Sequence, residues 1–111
     1  MGQIIIGVDS GVDKTGFAVF EKNSKSSKNF IYKTSGLIKT SIKNSNEKRL
    51  ELIYKKLSKI IKTYKPEVLV IERLFFFKNQ KTAIQVSQAQ GVCLLAAAQN
   101  NIEVEYLTPL Q

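Results

Sequence analysis

Residues 50–72 read LELIYKKLSKIIKTYKPEVLVIE, and this segment predicts a helix followed by a buried strand. Its first part repeats apolar residues with the 3.6-residue period of a helix that packs one face on a core. Pro66 predicts the end of this helix, because its ring disfavours helical geometry at the residue before it. Residues 68–72, VLVIE, then form an apolar run that ends in an acid, which is typical of a strand buried on both faces. The members of the helical stripe are Leu50, Ile53, Tyr54, Leu57, Ile60, Ile61 and Tyr64.

The N-terminal run at residues 3–9, QIIIGVD, has the same character and also ends in an acid. A helix between two such strands implies a right-handed crossover, so we expect these two strands to pair in parallel. Residues 15–21 and 30–38 are predicted to be two further strands joined by a polar loop, and Gly36 is expected to interrupt the second of them. With short connections, the first three strands form an antiparallel meander.

The first helix is expected to be capped by Asn44 or Ser45, and a second helix is expected from about Asn79 to Asn100. Gly91 within the second helix costs roughly 1 kcal/mol relative to alanine, so we expect it to serve close packing. Residues 102–107 alternate and predict a fifth strand. The order βββαβαβ indicates an α/β fold with a five-stranded mixed sheet, in one domain over residues 1–111.

The composition excludes several kinds of catalytic site. The chain has no histidine and one cysteine, so zinc sites built from Cys and His and Ser-His-Asp triads are impossible. Cys93 lies in the apolar run GVCLLAAA and is expected to be a small core residue. The net charge of +8 favours a polyanionic partner such as nucleic acid. Fifteen of the 17 basic residues are lysines, so a compositional bias is the alternative explanation.

Targeting signals are not visible in the sequence. The N-terminal segment lacks a basic region before its short apolar run, which argues against a signal peptide. The apolar run at residues 91–98 is too short to span a bilayer. We therefore expect a cytoplasmic protein that does not associate with a membrane.

Two acids end the two parallel strands. Because the carboxyl ends of parallel neighbours lie at one edge of the sheet, Asp9 and Glu72 are expected close together, with their strands about 4.8 Å apart. Two carboxylates that close repel each other unless a cation lies between them. Mg²⁺ prefers such oxygen ligands, and a pair of these ions could clamp the attacking water and the leaving oxygen of a phosphodiester. An Asx turn at Asp9 and a solvated strand end at Glu72 are the structural alternatives.

The turn DSGVDKTG at residues 9–16 allows a second interpretation. Actin-like and sugar-kinase ATPases place a glycine-rich turn after an equivalent acid, where backbone N–H groups bind phosphate. This motif alone does not separate a nuclease from an ATPase.

The chain resembles the RuvC family of Holliday junction resolvases, which have an RNase H-like fold. The resemblance rests on IIGVDSGVDKTGFAVFE at the start, on RLELIYKKLSKIIKTYKPEVLVIERLFFFKN in the middle and on TAIQVSQAQGVCLLAAAQNNIEVEYLTPLQ at the end. Its most specific parts are the block IE-x-x-F-F-x-K-N and the following Q-A-x-G-V-x-L-x-A-A helix.

The resemblance implies a Mg²⁺-dependent homodimer, with Mn²⁺ as an alternative ion, that cuts four-way junction DNA in recombination and repair. A branch-migration helicase is a further implied partner. Asp9 and Glu72 would be catalytic metal ligands, and Phe75 would stack at the junction crossover. The implied contacts to DNA phosphates are Lys78, Asn79 and Lys81. For Phe75 the alternative is a core position, and for the other three it is a solvated helix start.

Two departures from the family pattern matter. Ser10 stands where the family has proline, which would loosen the turn. The sequence also stops at Gln111, before the C-terminal helical part with two more catalytic acids. We therefore expect the N-terminal two-thirds of such a nuclease, inactive or nearly so, which covers its incomplete surface by self-association through the second helix. A non-catalytic fragment that binds DNA junctions is the alternative function.

Overall fold

The two apolar runs that end in acids form the centre of the sheet. The computed structural model describes residues 2–23, 29–73 and 79–107. Strands β1 and β4 pair in parallel, from Ile5 opposite Val68 to Val8 opposite Ile71. The predicted parallel pairing of these two strands is therefore confirmed. The elements are β1 (Gln3–Asp9), β2 (Lys14–Lys22), β3 (Phe30–Lys39), α1 (Asn46–Tyr64), β4 (Val68–Glu72), α2 (Gln80–Gln99) and β5 (Glu103–Leu107).

The sheet has the strand order β3-β2-β1-β4-β5. Strands β1, β2 and β3 form the predicted antiparallel meander, and β5 pairs with β4 in parallel. The order βββαβαβ and the mixed five-stranded sheet are thus as the sequence predicts.

Both helices pack on the same face of the sheet. Ile6 and Val8 of β1 and Leu69 and Ile71 of β4 share one core with residues of both helices. Because side chains alternate along a strand, the residues between them point to the opposite face. In the described part of the chain, neither helix covers that opposite face, which we call the helix-free face. From the helices, the core takes Ile53, Leu57, Ile61, Cys93, Ala96 and Ala97.

Three local expectations need correction. Gly36 does not interrupt β3, and the irregularity in the β2–β3 pairing lies between Val19 and Phe20. A methyl group at Gly36 would lie 3.0 Å from the Phe17 ring, so this glycine makes room for an aromatic side chain. Ser45 is the N-cap residue of α1, but its side chain makes no capping hydrogen bond. Gly91 lies on the exposed side of α2, where an added methyl group would meet no other part of the described chain within 4 Å, so it is not needed for packing there.

The ends of the helices follow from local chemistry. Lys65, just before Pro66, adopts the left-handed conformation and closes α1 by donating its N–H to the carbonyl of Ile61. At the start of α2 the side chain of Asn79 accepts hydrogen bonds from two backbone N–H groups. Within the described residues, α1 and α2 are both too short or too polar to span a membrane.

Candidate active site

Asp9 and Glu72 lie side by side at one edge of the sheet. The last paired residues of β1 and β4 are Val8 and Ile71, and each acid is the next residue of its strand. Adjacent strands are about 4.8 Å apart. Because Val8 and Ile71 are buried in the core, alternation directs both acids to the helix-free face, where both are exposed. The structure therefore brings together the two acids that the sequence predicts to meet.

The surface next to Asp9 is open because its neighbours are small. A depression of about 330 Å³ next to Asp9 has small lining residues, and its full lining is Gly7, Val8, Asp9, Gly16, Phe17 and Ala18. Gly16 pairs directly with Asp9 across β1 and β2, so no side chain stands beside the carboxylate on that strand. This arrangement leaves space against the carboxylate, bounded by Leu37 of β3, whose Cδ2 would lie 3.6 Å from a methyl group on Gly16.

Two exposed carboxylates with free space around them suit a hard cation that keeps several waters. Mg²⁺ is commonly held by one or two carboxylates and completes its shell with water and phosphate oxygens. Within the described residues there is no group of three or more acids, cysteines or histidines that could hold a metal. The donor set therefore fits a cation held by Asp9 and Glu72, and it offers no closed protein cage.

Glu72 is fixed through its backbone by the second helix. The side-chain amide of Gln90 donates a hydrogen bond of 2.8 Å to the Glu72 carbonyl oxygen. The next residue, Arg73, donates its N–H to the carbonyl of Leu107 at 2.7 Å, and its guanidinium lies 3.9 Å from the centre of the Tyr106 ring. These contacts hold the end of β4 against both α2 and β5.

The start of α2 faces the turn that follows Asp9. Asp13 of that turn, Lys14 at the start of β2, and Thr82 and Gln85 of α2 line a common cleft of about 340 Å³. Asn79 uses its side-chain oxygen to cap the helix, at 2.8 Å from the N–H of Lys81. Lys81 itself is exposed. Phe75 and Lys78, which the family resemblance suggests as DNA contacts, lie outside the described residues.

Lys14 and Lys39 form a cationic pair that sequence analysis missed. They are directly opposite each other on β2 and β3, two positions beyond Gly16 and Leu37 and on the same face as the acids. Neither forms an ion pair with an acid in the described part of the chain. Like charges directly opposite each other destabilise a sheet, and a bound anion relieves that repulsion. Only the strand register reveals this pair, because the two lysines are far apart in sequence.

Cys93 lies in the core and is unreactive. Its side chain is fully buried in the core among residues of the sheet and helices. Burial raises the pKa of the thiol from 9.0 to about 12, because the thiolate would be desolvated. The prediction that Cys93 is a core residue is confirmed.

The fold and the paired acids define a class of protein. A five-stranded mixed sheet in this order, with two acids at the ends of its central parallel strands, is the arrangement of the RNase H-like fold. Residues 5–111 match the family model described as Crossover junction endodeoxyribonuclease RuvC. The chain belongs to this RuvC family.

Individual relatives agree with this assignment. The chain is 46% identical over 109 residues to the RuvC protein of Fusobacterium nucleatum, covering 96% of this chain and 55% of that protein. It is 41% identical over 107 residues to RuvC of Caldicellulosiruptor saccharolyticus, covering 96% of this chain and 63% of that protein. The chain therefore spans somewhat over half the length of these curated relatives.

A solved structure supports the fold independently. The structure of Thermus thermophilus RuvC in complex with a Holliday junction substrate superposes with a TM-score of 0.86 at 21% identity. The match covers 96% of this chain and 65% of that protein. The RNase H-like fold is thereby shown.

Proposed function

We propose that the chain is the N-terminal two-thirds of a structure-selective DNA endonuclease that resolves Holliday junctions in recombination and repair. The observation that carries the proposal is the position of Asp9 and Glu72 at neighbouring strand ends on one open face. Family membership supplies the reaction type, since relatives bear the name crossover junction endodeoxyribonuclease. A single RNase H-like domain over residues 1–111 and a cytoplasmic location are parts of this proposal.

The two carboxylates are the residues that would hold the metal. Asp9 and Glu72 would bind Mg²⁺, or Mn²⁺ in its place, which supplies positive charge to a phosphodiester attacked by water. Both carboxylates extend from the ends of paired strands, which fixes their relative position. The small side chains beside Asp9 would leave space for the scissile phosphate.

The surrounding cations would contact the DNA backbone. Lys81 at the start of α2 is exposed next to the cleft at the turn after Asp9, and Asn79 caps the same helix. Phe75 and Lys78 complete the proposed DNA contacts on the strength of the family resemblance alone. Phosphate contacts of this kind set the position of the DNA, whereas the family's aromatic residue would stack at the crossover. A homodimer and a branch-migration helicase are the further proposed partners.

Catalysis by this chain alone is expected to be absent or nearly absent. The two acids offer only part of the charge that a two-metal site needs, and no third acid joins them in the described residues. This observation favours the second candidate function, which is junction binding without cleavage. That function predicts a binding affinity that falls steeply with salt.

The test uses a synthetic four-way junction with Mg²⁺ or Mn²⁺. We expect the wild-type chain to bind the junction and to show Mn²⁺-induced broadening of the Asp9 and Glu72 NMR signals. Asp9→Asn should abolish that broadening, whereas Glu67→Gln, at the other end of β4, should leave it unchanged. Symmetric nicks that disappear in Asp9→Asn would contradict the expected inactivity but support the nuclease assignment. Absence of both junction binding and Mn²⁺ broadening would refute the proposal.

A further inference from the structure

A buried guanidinium lies behind the turn that follows Asp9. Arg49 is in the first turn of α1 and is only 8% exposed, although most arginines are at the surface. Its Nε donates a hydrogen bond of 2.9 Å to the Thr40 hydroxyl. Its Nη2 forms an ion pair with Asp13, whose side chain is otherwise largely exposed. A single side chain thus connects α1 to the end of β3 and to the turn between β1 and β2.

Thr40 completes the connection through the backbone of the turn. Its hydroxyl donates to the Val12 carbonyl at 2.5 Å, and its N–H donates to the Asp13 carbonyl at 3.0 Å. The Thr40 hydroxyl therefore both accepts from Arg49 and donates to the turn. Val12 is buried, at 5% exposure, so its side chain anchors the same turn from within.

A second contact closes the other side of the turn. The Thr15 hydroxyl donates to the Gly11 carbonyl at 2.7 Å, and Thr15 is fully buried. The carbonyls of Gly11, Val12 and Asp13 are therefore all bonded within this small structure. Asp9 lies immediately before this turn, and its pairing with Gly16 is the last pairing between β1 and β2. The direction in which the chain leaves Asp9 is consequently set by this turn.

We propose that Arg49 is a positioning residue for the Asp9 carboxylate. It fixes the turn at residues 10–13 against α1 and β3, and so holds Asp9 in register with Glu72 at the edge of the sheet. Its guanidinium also forms an ion pair with the Asp13 carboxylate. This inference rests on the proposed function for its consequence, and on the hydrogen bonds above for its mechanism.

The chemistry of arginine explains the choice of residue. A planar guanidinium can bond an oxygen of Thr40 and a carboxylate of Asp13 at the same time, in directions fixed by the fork of N–H donors. Lysine keeps the charge but has a point-like head group, so it replaces only part of the network. Methionine fills a similar volume and leaves Asp13 and Thr40 without their partner.

The experiment compares Arg49→Met, Arg49→Lys and Asp13→Asn with the wild-type chain. The matched control is Lys33→Met, which removes the cation of the Lys33–Glu21 ion pair on β3 and β2. One readout is amide hydrogen exchange at Gly11 and Thr40, which reports the order of the turn. The other is the Mn²⁺ affinity of the folded protein, measured by broadening of the Asp9 and Glu72 NMR signals.

We expect exchange at Gly11 and Thr40 to be at least about tenfold faster in Arg49→Met, and Mn²⁺ affinity to fall about 10–100-fold, as for other residues that orient a metal ligand. Arg49→Lys should recover part of both effects, and Lys33→Met should show neither. If Arg49→Met does not fold, Asp13→Asn replaces it in both measurements and tests the same proposal. The exposed side chain of Asp13 can be changed with little effect on the core.

A lower melting temperature with unchanged Mn²⁺ affinity and unchanged exchange at the turn would overturn the proposal. Unchanged affinity with faster exchange would likewise overturn it, because Asp9 would then not depend on the turn. If the wild-type chain itself shows no Mn²⁺ broadening, the proposed metal site fails separately. In that case amide hydrogen exchange alone tests whether Arg49 orders the turn. Equal exchange rates at Gly11 and Thr40 in wild type and Arg49→Met would reject that role.

Discussion

At the scale of single residues, burial distinguishes the two candidate site acids from the unreactive cysteine. Asp9 and Glu72 are exposed at the edge of the sheet, whereas Cys93 is enclosed by the core. A carboxylate that binds a metal and a phosphate must be accessible to solvent. A thiol that only fills space in the core is buried. The same physical property, exposure to solvent, therefore marks the candidate site and excludes the lone cysteine from it.

The raised pKa of Cys93 makes stability depend on pH. The thiol has a pKa of about 12 when folded and 9.0 ordinarily, so the unfolded chain ionises first as the pH rises. The stabilising effect of the neutral thiol is complete below about pH 9 and is lost progressively up to about pH 12, at about 1.4 kcal/mol per pH unit. Urea unfolding at about pH 8 and about pH 10 should therefore show wild type losing more stability than Cys93→Ala. A constant difference between the two proteins would contradict this prediction.

The lysine pair at the edge of the sheet should contribute to DNA binding. We expect Lys14→Gln and Lys39→Gln each to weaken binding of a four-way junction and to lower the slope of log K against log salt by about 1, because each phosphate contact releases counterions. Fluorescence anisotropy over a salt series measures this slope. Lys59→Gln, on the outer side of α1, is the control for a general loss of positive charge. Equal slopes in all three variants would show that the pair does not contact phosphate.

At the scale of elements, the sequence predicts what depends on local pattern. The strands QIIIGVD and VLVIE and the stripe of α1 have clear periodicity, so their positions and parallel pairing follow from the chain alone. Gly91 has no packing partner within the described chain, because small residues occur on more than one side of α2 and periodicity does not show which side is buried. The contacts of Arg49 and Gln90 were missed, because their partners are distant in sequence and meet only in the folded sheet.

The two glycines with opposite surroundings give a paired test. Gly91→Ala should raise the unfolding free energy of the monomer by about 1 kcal/mol, because alanine favours the helix and a methyl group there meets open space. Gly36→Ala should lower it, because its methyl group would lie 3.0 Å from the Phe17 ring. Urea unfolding of both variants at low protein concentration measures the changes. Destabilisation by Gly91→Ala in the monomer would indicate a contact that the described residues do not contain.

At the scale of the whole molecule, the net charge opposes self-association, whereas the exposed apolar surface favours it. The net charge of +8 keeps copies of the chain apart in solution and favours DNA. The exposed surface of α2 nevertheless carries Ile84 and Leu95, which are 58% and 50% exposed. They are about three helical turns apart and lie on one line with Gly91 between them. A contiguous exposed apolar patch marks a protein contact, so this line on α2 is a candidate contact surface.

We expect this line on α2 to mediate self-association, with Gly91 allowing two helices to approach closely. Sedimentation or light scattering at micromolar concentration should give a mass above that of the monomer, and Ile84→Glu with Leu95→Glu should reduce it to the monomer, because buried acids at a contact are costly. The control is Leu37→Glu, since Leu37 is 56% exposed on the helix-free face. If Leu37→Glu dissociates the assembly and the α2 variant does not, the sheet is the contact surface. A compact wild-type monomer at these concentrations would reject self-association on either surface.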